Sequence, residues 1–161
     1  MTAPASTIDV VRVRTRGELG AARELLAEYI GQQIPNYPDP GEARARYDTE
    51  LASLRQFYSP FFLGLSNDRP AGCVGLRQET LEIGEMKRLY VREEFRGLGL
   101  GRELATAVLE AAREEAYERL RLDVHISRAP AIALYRSLRF QEVEPWDDPW
   151  AELLYMELVL T

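Results

Sequence analysis

The pattern of apolar and polar positions divides the chain into alternating short strands and helices. Ile8 to Arg14 alternates between the two classes, which predicts a first strand. From Glu18 to Ile30 the apolar residues Leu19, Ala22, Leu25, Leu26, Tyr29 and Ile30 form a helical stripe. Pro35, Pro38 and Pro40 predict a loop over 32–40, and Tyr47, Leu51, Leu54 and Tyr58 then predict one helix ended by Pro60. Phe61 to Ser66 and Ala71 to Gln78 read as strands joined in a hairpin by Asn67-Asp68-Arg69-Pro70. Leu81 to Val91 is a further strand. The clearest helix runs from Gly101 to Tyr117, with Leu104, Ala105, Val108, Leu109, Ala112 and Ala116 on one face. Alternation over Leu120 to Ile126 gives another strand, Ala129 to Leu138 a short helix with Pro130 in its first turn, and Glu142-Val143 and Ala151 to Leu160 closing strands. The order β-α-α-β-β-β-α-β-α-β-β implies an α/β fold of three α/β/α layers around a mixed, mostly antiparallel sheet. No repeat or linker interrupts it, so residues 1–161 are expected to form a single domain, with 1–7 a loose tail.

Between the strand ending at Val91 and the long helix lies Arg96-Gly97-Leu98-Gly99-Leu100-Gly101-Arg102. Alternating glycines let backbone N–H groups approach a ligand, and the following helix start adds unpaired amides and the positive end of a dipole. That combination seats a phosphate or pyrophosphate, and Arg96 and Arg102 can add charge-assisted hydrogen bonds. The dinucleotide fingerprint fails, because its sixth position falls on Arg102 or Leu104 rather than glycine or alanine, although Asp123 stands where a ribose contact would. A P-loop fails because Arg102-Glu103 follows Gly101.

Charge sharpens this. The 161 residues carry a net charge of −6, which argues against broad nucleic-acid binding. Lys87, Arg88, Arg92, Arg96 and Arg102 nevertheless cluster around the glycine run, which fits a small polyanion better than a polymer. The one cysteine, Cys73, excludes an internal disulfide and suits a reducing interior; its apolar surroundings suggest a buried small hydrophobe rather than a reactive thiol. No signal-peptide pattern opens the chain and no apolar run approaches the length of a membrane span, so a cytoplasmic protein without membrane partners is expected.

The run Arg96-x-x-Gly99-x-Gly101 resembles the arginine/glutamine-x-x-glycine-x-glycine/alanine motif of the GNAT superfamily of acetyl-CoA-dependent N-acetyltransferases. Glu85-Met86-Lys87-Arg88-Leu89-Tyr90-Val91 resembles that family's fourth strand, and Ala131 to Phe140 its later helix and turn, at matching spacing. Two residues depart from the pattern. Arg139 stands where the family usually has glycine, and Arg128-Ala129 where many members have a pantetheine-binding asparagine.

The resemblance implies acetyl transfer from acetyl-CoA to a primary amine by direct attack, without a metal. A small-molecule or amino-acid-like amine is the expected acceptor, and a homodimer through a sheet edge is a further expectation. A non-catalytic acyl-CoA-binding module of the same fold is the alternative. The amides of Gly97, Leu98, Gly99, Leu100, Gly101 and Arg102 would hold the pyrophosphate, and the backbone of Leu89, Tyr90 and Val91 the pantetheine arm and acetyl carbonyl. Tyr135 would protonate the coenzyme thiolate, unless it serves only to pack the core.

Strand alternation puts Glu85, Lys87 and Leu89 on one face. Glu85 is the candidate general base, its pKa raised by desolvation; the alternative is an ion pair with Lys87 or Arg88. His125, the only histidine, sits near a strand C-terminus as a second proton-transfer candidate or a structural residue, with Asp123 on its face. The segment Tyr29 to Tyr58, with Tyr37, Tyr47 and Asp48, would border the acceptor. Trp146, Asp147, Asp148 and Trp150 would form a lip for a cationic or aromatic amine, or an exposed loop.

Overall fold

The computed structural model describes residues 6–147 and 152–160. Strand β1 (Ile8–Arg12) leads into α1 (Arg16–Gln33). Thr15 and Glu18 close a capping box at its start: the Glu18 amide donates to Thr15 Oγ1 at 3.1 Å and the Thr15 amide to Glu18 Oε1 at 2.8 Å. The box starts the helix two residues before its first predicted position. At α2 (Pro40–Ala52) Asp39 caps the Glu42 amide and Pro40 takes the first turn.

The helix predicted to run on to Tyr58 breaks at Ser53, which leaves the helical region (φ −126°, ψ 39°), and resumes as a single turn, α3 (Leu54–Phe57). The break lets Leu54 and Tyr58 sink into the core with α1, at 1% and 3% exposure.

Strands β2 (Phe61–Ser66) and β3 (Arg69–Gln78) form the predicted hairpin. Its two-residue loop places Asn67 and Asp68 at φ 48° and 65°, the positive values that a right-twisted hairpin favours. β4 (Ile83–Val91), α4 (Leu100–Glu114), β5 (Arg119–His125), α5 (Ala129–Ser137), β6 (Gln141–Val143) and β7 (Leu153–Val159) complete the chain. Leu81, predicted as the start of β4, instead sits exposed in the turn before it, where Thr80 Oγ1 accepts from the Glu82 and Ile83 amides.

The seven strands run in the order β1-β2-β3-β4-β5-β7-β6, antiparallel except where β4 meets β5. One face packs under α4 and α5 through Val74, Leu76, Met86, Leu104, Val108, Leu120 and Met156. The other packs under α1 and α2 through Leu25, Leu26, Ile30, Tyr47, Cys73 and Tyr90. The expected three layers are therefore present. Cys73 is fully buried and burial pushes its thiol pKa up, so it serves as a small core residue.

Two local features shape the centre of the sheet. First, β4 and β5 pair only at Ile83–Arg119, Gly84–Leu120 and Glu85–Arg121, then diverge. Second, β4 carries a bulge: Tyr90 faces Cys73 and Lys87 faces Gly75, so Arg88 and Leu89 share Val74 as their only counterpart. Arg88 absorbs the extra residue at φ 63°. The bulge corrects the simple alternation of the strand. Met86 points into the α4 core and so do Leu89 and Val91, while Tyr90 packs under α1. Leu89 thus lies on the opposite face from Glu85 and Lys87, because the bulge shifts the side-chain period by one.

α5 ends in a Schellman motif. The Phe140 amide donates to the Tyr135 carbonyl at 3.0 Å and the Arg139 amide to the Arg136 carbonyl at 2.9 Å, with Arg139 at φ 76° where glycine is favoured. The turn lays the Phe140 ring against Tyr135, centroids 5.9 Å apart. The Arg139 side chain is exposed and makes no hydrogen bond or ion pair among the described residues, so Arg139→Gly relieves the left-handed strain at little other cost. We expect it to raise unfolding stability by about 1 kcal/mol, read as a higher denaturation midpoint with unchanged denaturant slope.

Candidate active site

Where β4 and β5 part, a cleft of about 1300 Å³ opens through the molecule. One end is the glycine run. A 3-10 turn over Glu93–Phe95 anchors it by burying Phe95, and Arg96 Nε donates to the Val91 carbonyl at 3.0 Å. Gly97 and Gly99 then take φ 80° and 87°, which side-chain-bearing residues rarely adopt, and Gly99 caps α4. The Glu103 amide is the first to reach back into the helix, to Gly99 at 3.1 Å. The amides of Leu100, Gly101 and Arg102 consequently have no intrahelical acceptor.

Gly101 is different from the other two. It has an ordinary helical φ, and a Cβ there would meet Leu134 Cδ2 at 3.7 Å, normal van der Waals contact. The fold itself therefore tolerates a side chain at Gly101, whereas a polyphosphate drawn against these amides would not. Arg102 Nη2 donates to Ser137 Oγ at 2.7 Å, which ties the helix start to α5 and holds that guanidinium beside the same amides. The free amides, the helix dipole and Arg102 make a cradle that fits a pyrophosphate.

Deeper in, Leu89 and Val91 line one wall, and Ala131, Leu134 and Tyr135 the other. Tyr135 is 6% exposed, and its hydroxyl has no partner among the described residues. No side-chain oxygen or nitrogen among the described residues is both sealed and unpartnered, so this hydroxyl opens into the cleft. Burial raises its pKa, with Tyr29 and Asp123 adding to the rise, so it stays protonated as a donor. Tyr90 and Leu98 send their side chains elsewhere. The Tyr90 hydroxyl donates to Glu28 Oε2 at 3.2 Å under α1, and Leu98 is exposed outside the cleft.

Glu85 lies buried at the point of divergence and does not line the cleft. Lys87 Nζ stands 3.2 Å from its Oε1 and Arg121 Nε 3.0 Å from its Oε2; Arg121 also reaches Glu79 at 3.1 Å and covers the Trp146 ring at 4.3 Å. The expected upward pKa shift is corrected. Burial does push the carboxyl up, but Lys87 and Arg121 together outweigh it and hold it below the usual carboxylate value.

His125 and Asp123 both line the cleft. His125 Nδ1 accepts from the Ser127 backbone N–H at 3.1 Å and lies 2.7 Å from Ser127 Oγ. A backbone N–H can only donate, so the neutral ring carries its proton on Nε2. The Asp123 side chain has no hydrogen bond or ion pair among the described residues. Of the expected acceptor border, Tyr37, Tyr47 and Asp147 line the cleft; Asp48 is exposed outside it, and Trp146 packs edge-on against Tyr155 at 4.6 Å. Asp148 and Trp150 lie outside the described residues.

Within the expected border segment Tyr29 also lines the cleft, as do Arg46 and Glu50, which were not named individually; Arg77 of β3 was not expected there. Glu50 pairs with Arg88 at 2.9 Å, a contact between residues far apart in sequence that no local pattern announces. No cluster of three or more His, Cys, Asp or Glu suited to a metal occurs among the described residues. None of their helices is long and apolar enough to cross a membrane.

Comparison with known proteins agrees with this fold. The family described as Acetyltransferase (GNAT) matches residues 20–140. An uncharacterized N-acetyltransferase of Schizosaccharomyces pombe is 38% identical over 121 residues, covering 71% of this chain and 74% of that protein. Among solved structures, an acetyltransferase of the GNAT family from Staphylococcus aureus superposes with a TM-score of 0.76 at 17% identity, over 96% of this chain and 100% of that one. The Salmonella typhimurium protein yncA, solved with its cofactor acetyl-CoA, gives 0.68 at 19% identity over 96% and 95%.

Two experiments follow from the site. Gly101→Ala should leave the fold intact, or stabilise it by about 0.5–1 kcal/mol as alanine does in a helix, yet weaken acetyl-CoA binding at least about tenfold in calorimetry. Glu85 titrates in the fold below the ordinary value of 4.5. Its contribution to stability is therefore present at neutral pH and lost as acid carries it through its folded-state value. Glu85→Gln should cost about 3 kcal/mol at pH 7, with the gap to wild type narrowing below roughly pH 4 in denaturant titrations.

Proposed function

The chain belongs to the GNAT acetyltransferase family, and on that premise we propose that it moves an acetyl group from acetyl-CoA to the primary amine of a small molecule. The observation that carries this reading is the single cleft that runs from the unpaired amides of α4, past the Tyr135 hydroxyl, to an open wall bearing Asp123 and His125.

In this reading the pyrophosphate rests on the amides from Gly97 to Arg102, with Arg102 and Arg96 beside them. The pantetheine arm lies along the β4 edge that β5 has vacated, against the backbone of Leu89, Tyr90 and Val91. A free strand edge offers N–H and C=O groups in the spacing that the amides of the arm can use. Backbone N–H groups there polarise the acetyl carbonyl as charge develops on its oxygen.

The amine nitrogen bonds to the acetyl carbonyl carbon and the carbon–sulfur bond breaks. The proton lost by nitrogen passes to solvent, and the departing thiolate gains one, so charge balances. Tyr135, kept protonated by burial, donates its hydroxyl hydrogen bond to the developing thiolate. Asp123, the cleft carboxylate without a partner among the described residues, orients the incoming amine and relays its proton through water. His125 presents Nε2–H to the same space as a donor. Glu85 acts by holding Lys87 and Arg121 in place, since two cations occupy its oxygens.

Thiol release from acetyl-CoA in the presence of amines measures the activity. Tyr135→Phe and Asp123→Asn should each lower kcat about 10- to 100-fold while acetyl-CoA affinity changes little. Full activity in both variants would remove these roles, and loss of kcat in a folded Glu85→Gln with Asp123→Asn unaffected would return the base to Glu85.

A further inference from the structure

The far wall of the cleft is cationic in a chain whose net charge is −6. Arg88 is its centre. A long side chain at φ 63° is an unusual expense for a strand, and such outliers gather at functional sites. The bulge delivers the Arg88 guanidinium between two aromatic rings, 4.9 Å from the Tyr47 centroid and 5.9 Å from that of Tyr29. Glu50 accepts from Nε at 2.9 Å and from Nη2 at 3.2 Å. Nη1 has no partner among the described residues, and because no unpartnered side-chain nitrogen among them is sealed, it opens into the cleft that Arg88 lines.

Further cations surround it. Arg46 lies 5.5 Å over the Tyr37 ring, Arg128 lies 5.9 Å over Tyr29, and Arg77 stands on the neighbouring strand. None of these three makes an ion pair among the described residues. The acidic residues on the same walls are Glu50, which pairs with Arg88, and Asp123 and Asp147. A polyamine or a lysine-rich peptide entering here meets like charge, which costs affinity and slows encounter. An acceptor with its own carboxylate meets a planar donor group pre-positioned by two rings and a buried partner.

We infer that the acceptor is a small amine that also carries a carboxylate, an amino acid rather than a polyamine or a protein amine, with Arg88 Nη1, Arg46 and Arg128 receiving that carboxylate. This rests on the transferase reading above. The amino group then faces Asp123 and the acetyl site, while Tyr29, Tyr37 and Tyr47 flank the rest of the molecule. Arg88, set by the bulge, becomes the residue that selects the substrate.

The test is an acceptor panel: the common amino acids, the α-carboxamide and the decarboxylated amine of each, spermidine, and a lysine-containing peptide blocked at both ends. Thiol release is measured alongside calorimetric binding of acetyl-CoA. At least one amino acid should be acetylated with kcat/KM about 100-fold above its carboxamide and its decarboxylated amine. Arg88→Lys, and independently the exposed Arg46→Gln, should shrink that acid-to-amide ratio by about tenfold while leaving acetyl-CoA affinity within about twofold. Equal use of acid and amide, preference for spermidine or the peptide, or a ratio unmoved in both variants overturns the inference while the transferase reading stands. Acetyl-CoA binding without acetylation of any panel member also overturns it. Failure to bind acetyl-CoA sinks the transferase reading itself.

Discussion

The site depends on the parting of two neighbouring strands. β4 and β5 share three residue pairs and no more. At the last of them Glu85 bonds across the ladder to Arg121, and Lys87 closes on the same carboxylate from one side. This buried network pins the strands where they still touch, and just beyond it the bulge at Arg88 turns β4 away from regular register. A sheet that continued to pair would leave no cleft. A sheet that parted without a pin would expose core residues such as Met86 and Leu122. Buried ion pairs contribute little net stability, but removing one partner is expensive, so the network acts mainly to fix one geometry.

Charge follows the same division. The glycine-run end supplies amides and arginines that suit a polyphosphate, and the opposite wall supplies Arg88, Arg46, Arg77 and Arg128. Between them the walls are apolar or aromatic: Leu89, Val91, Leu134, Tyr135. In a cleft with low-dielectric walls these fields are focused rather than screened, which favours anionic groups at both ends and leaves the middle for the reacting atoms. The chain's acidic total charge hides this, because its carboxylates lie elsewhere or are consumed in pairs such as Glu50–Arg88 and Glu28–Arg92.

Much of this was legible in the sequence, for identifiable reasons. Period-two and period-3.6 patterns located every strand and most helix ends in outline, because each element buries one face; α4 stops at Glu114, short of the predicted Tyr117, where Ala116 turns out at φ 62°. Asn67-Asp68 announced its turn, and the glycine run the turn before α4, because positive φ leaves a compositional trace. The break at Ser53 left none, since Leu51, Leu54 and Tyr58 keep helical spacing across it. The bulge left none either: Arg88 holds a conformation that glycine would advertise, so the face of Leu89 was read one step out. Glu85 was legible as an unusual strand carboxylate, but its titration depends on Arg121, which arrives from β5 through the fold rather than through local sequence.

The central claim is that acetyl-CoA lies along the vacated edge of β4 with its pyrophosphate on the start of α4. Backbone amide resonances observed during titration with acetyl-CoA test it most directly. Saturable shifts should concentrate at Leu89, Val91, Gly97, Gly99, Gly101 and Arg102, with those of β1 and β2 unmoved. Saturable shifts that leave Gly99 to Arg102 untouched, or no shifts at millimolar acetyl-CoA, about the weakest affinity of a working co-substrate, would contradict it.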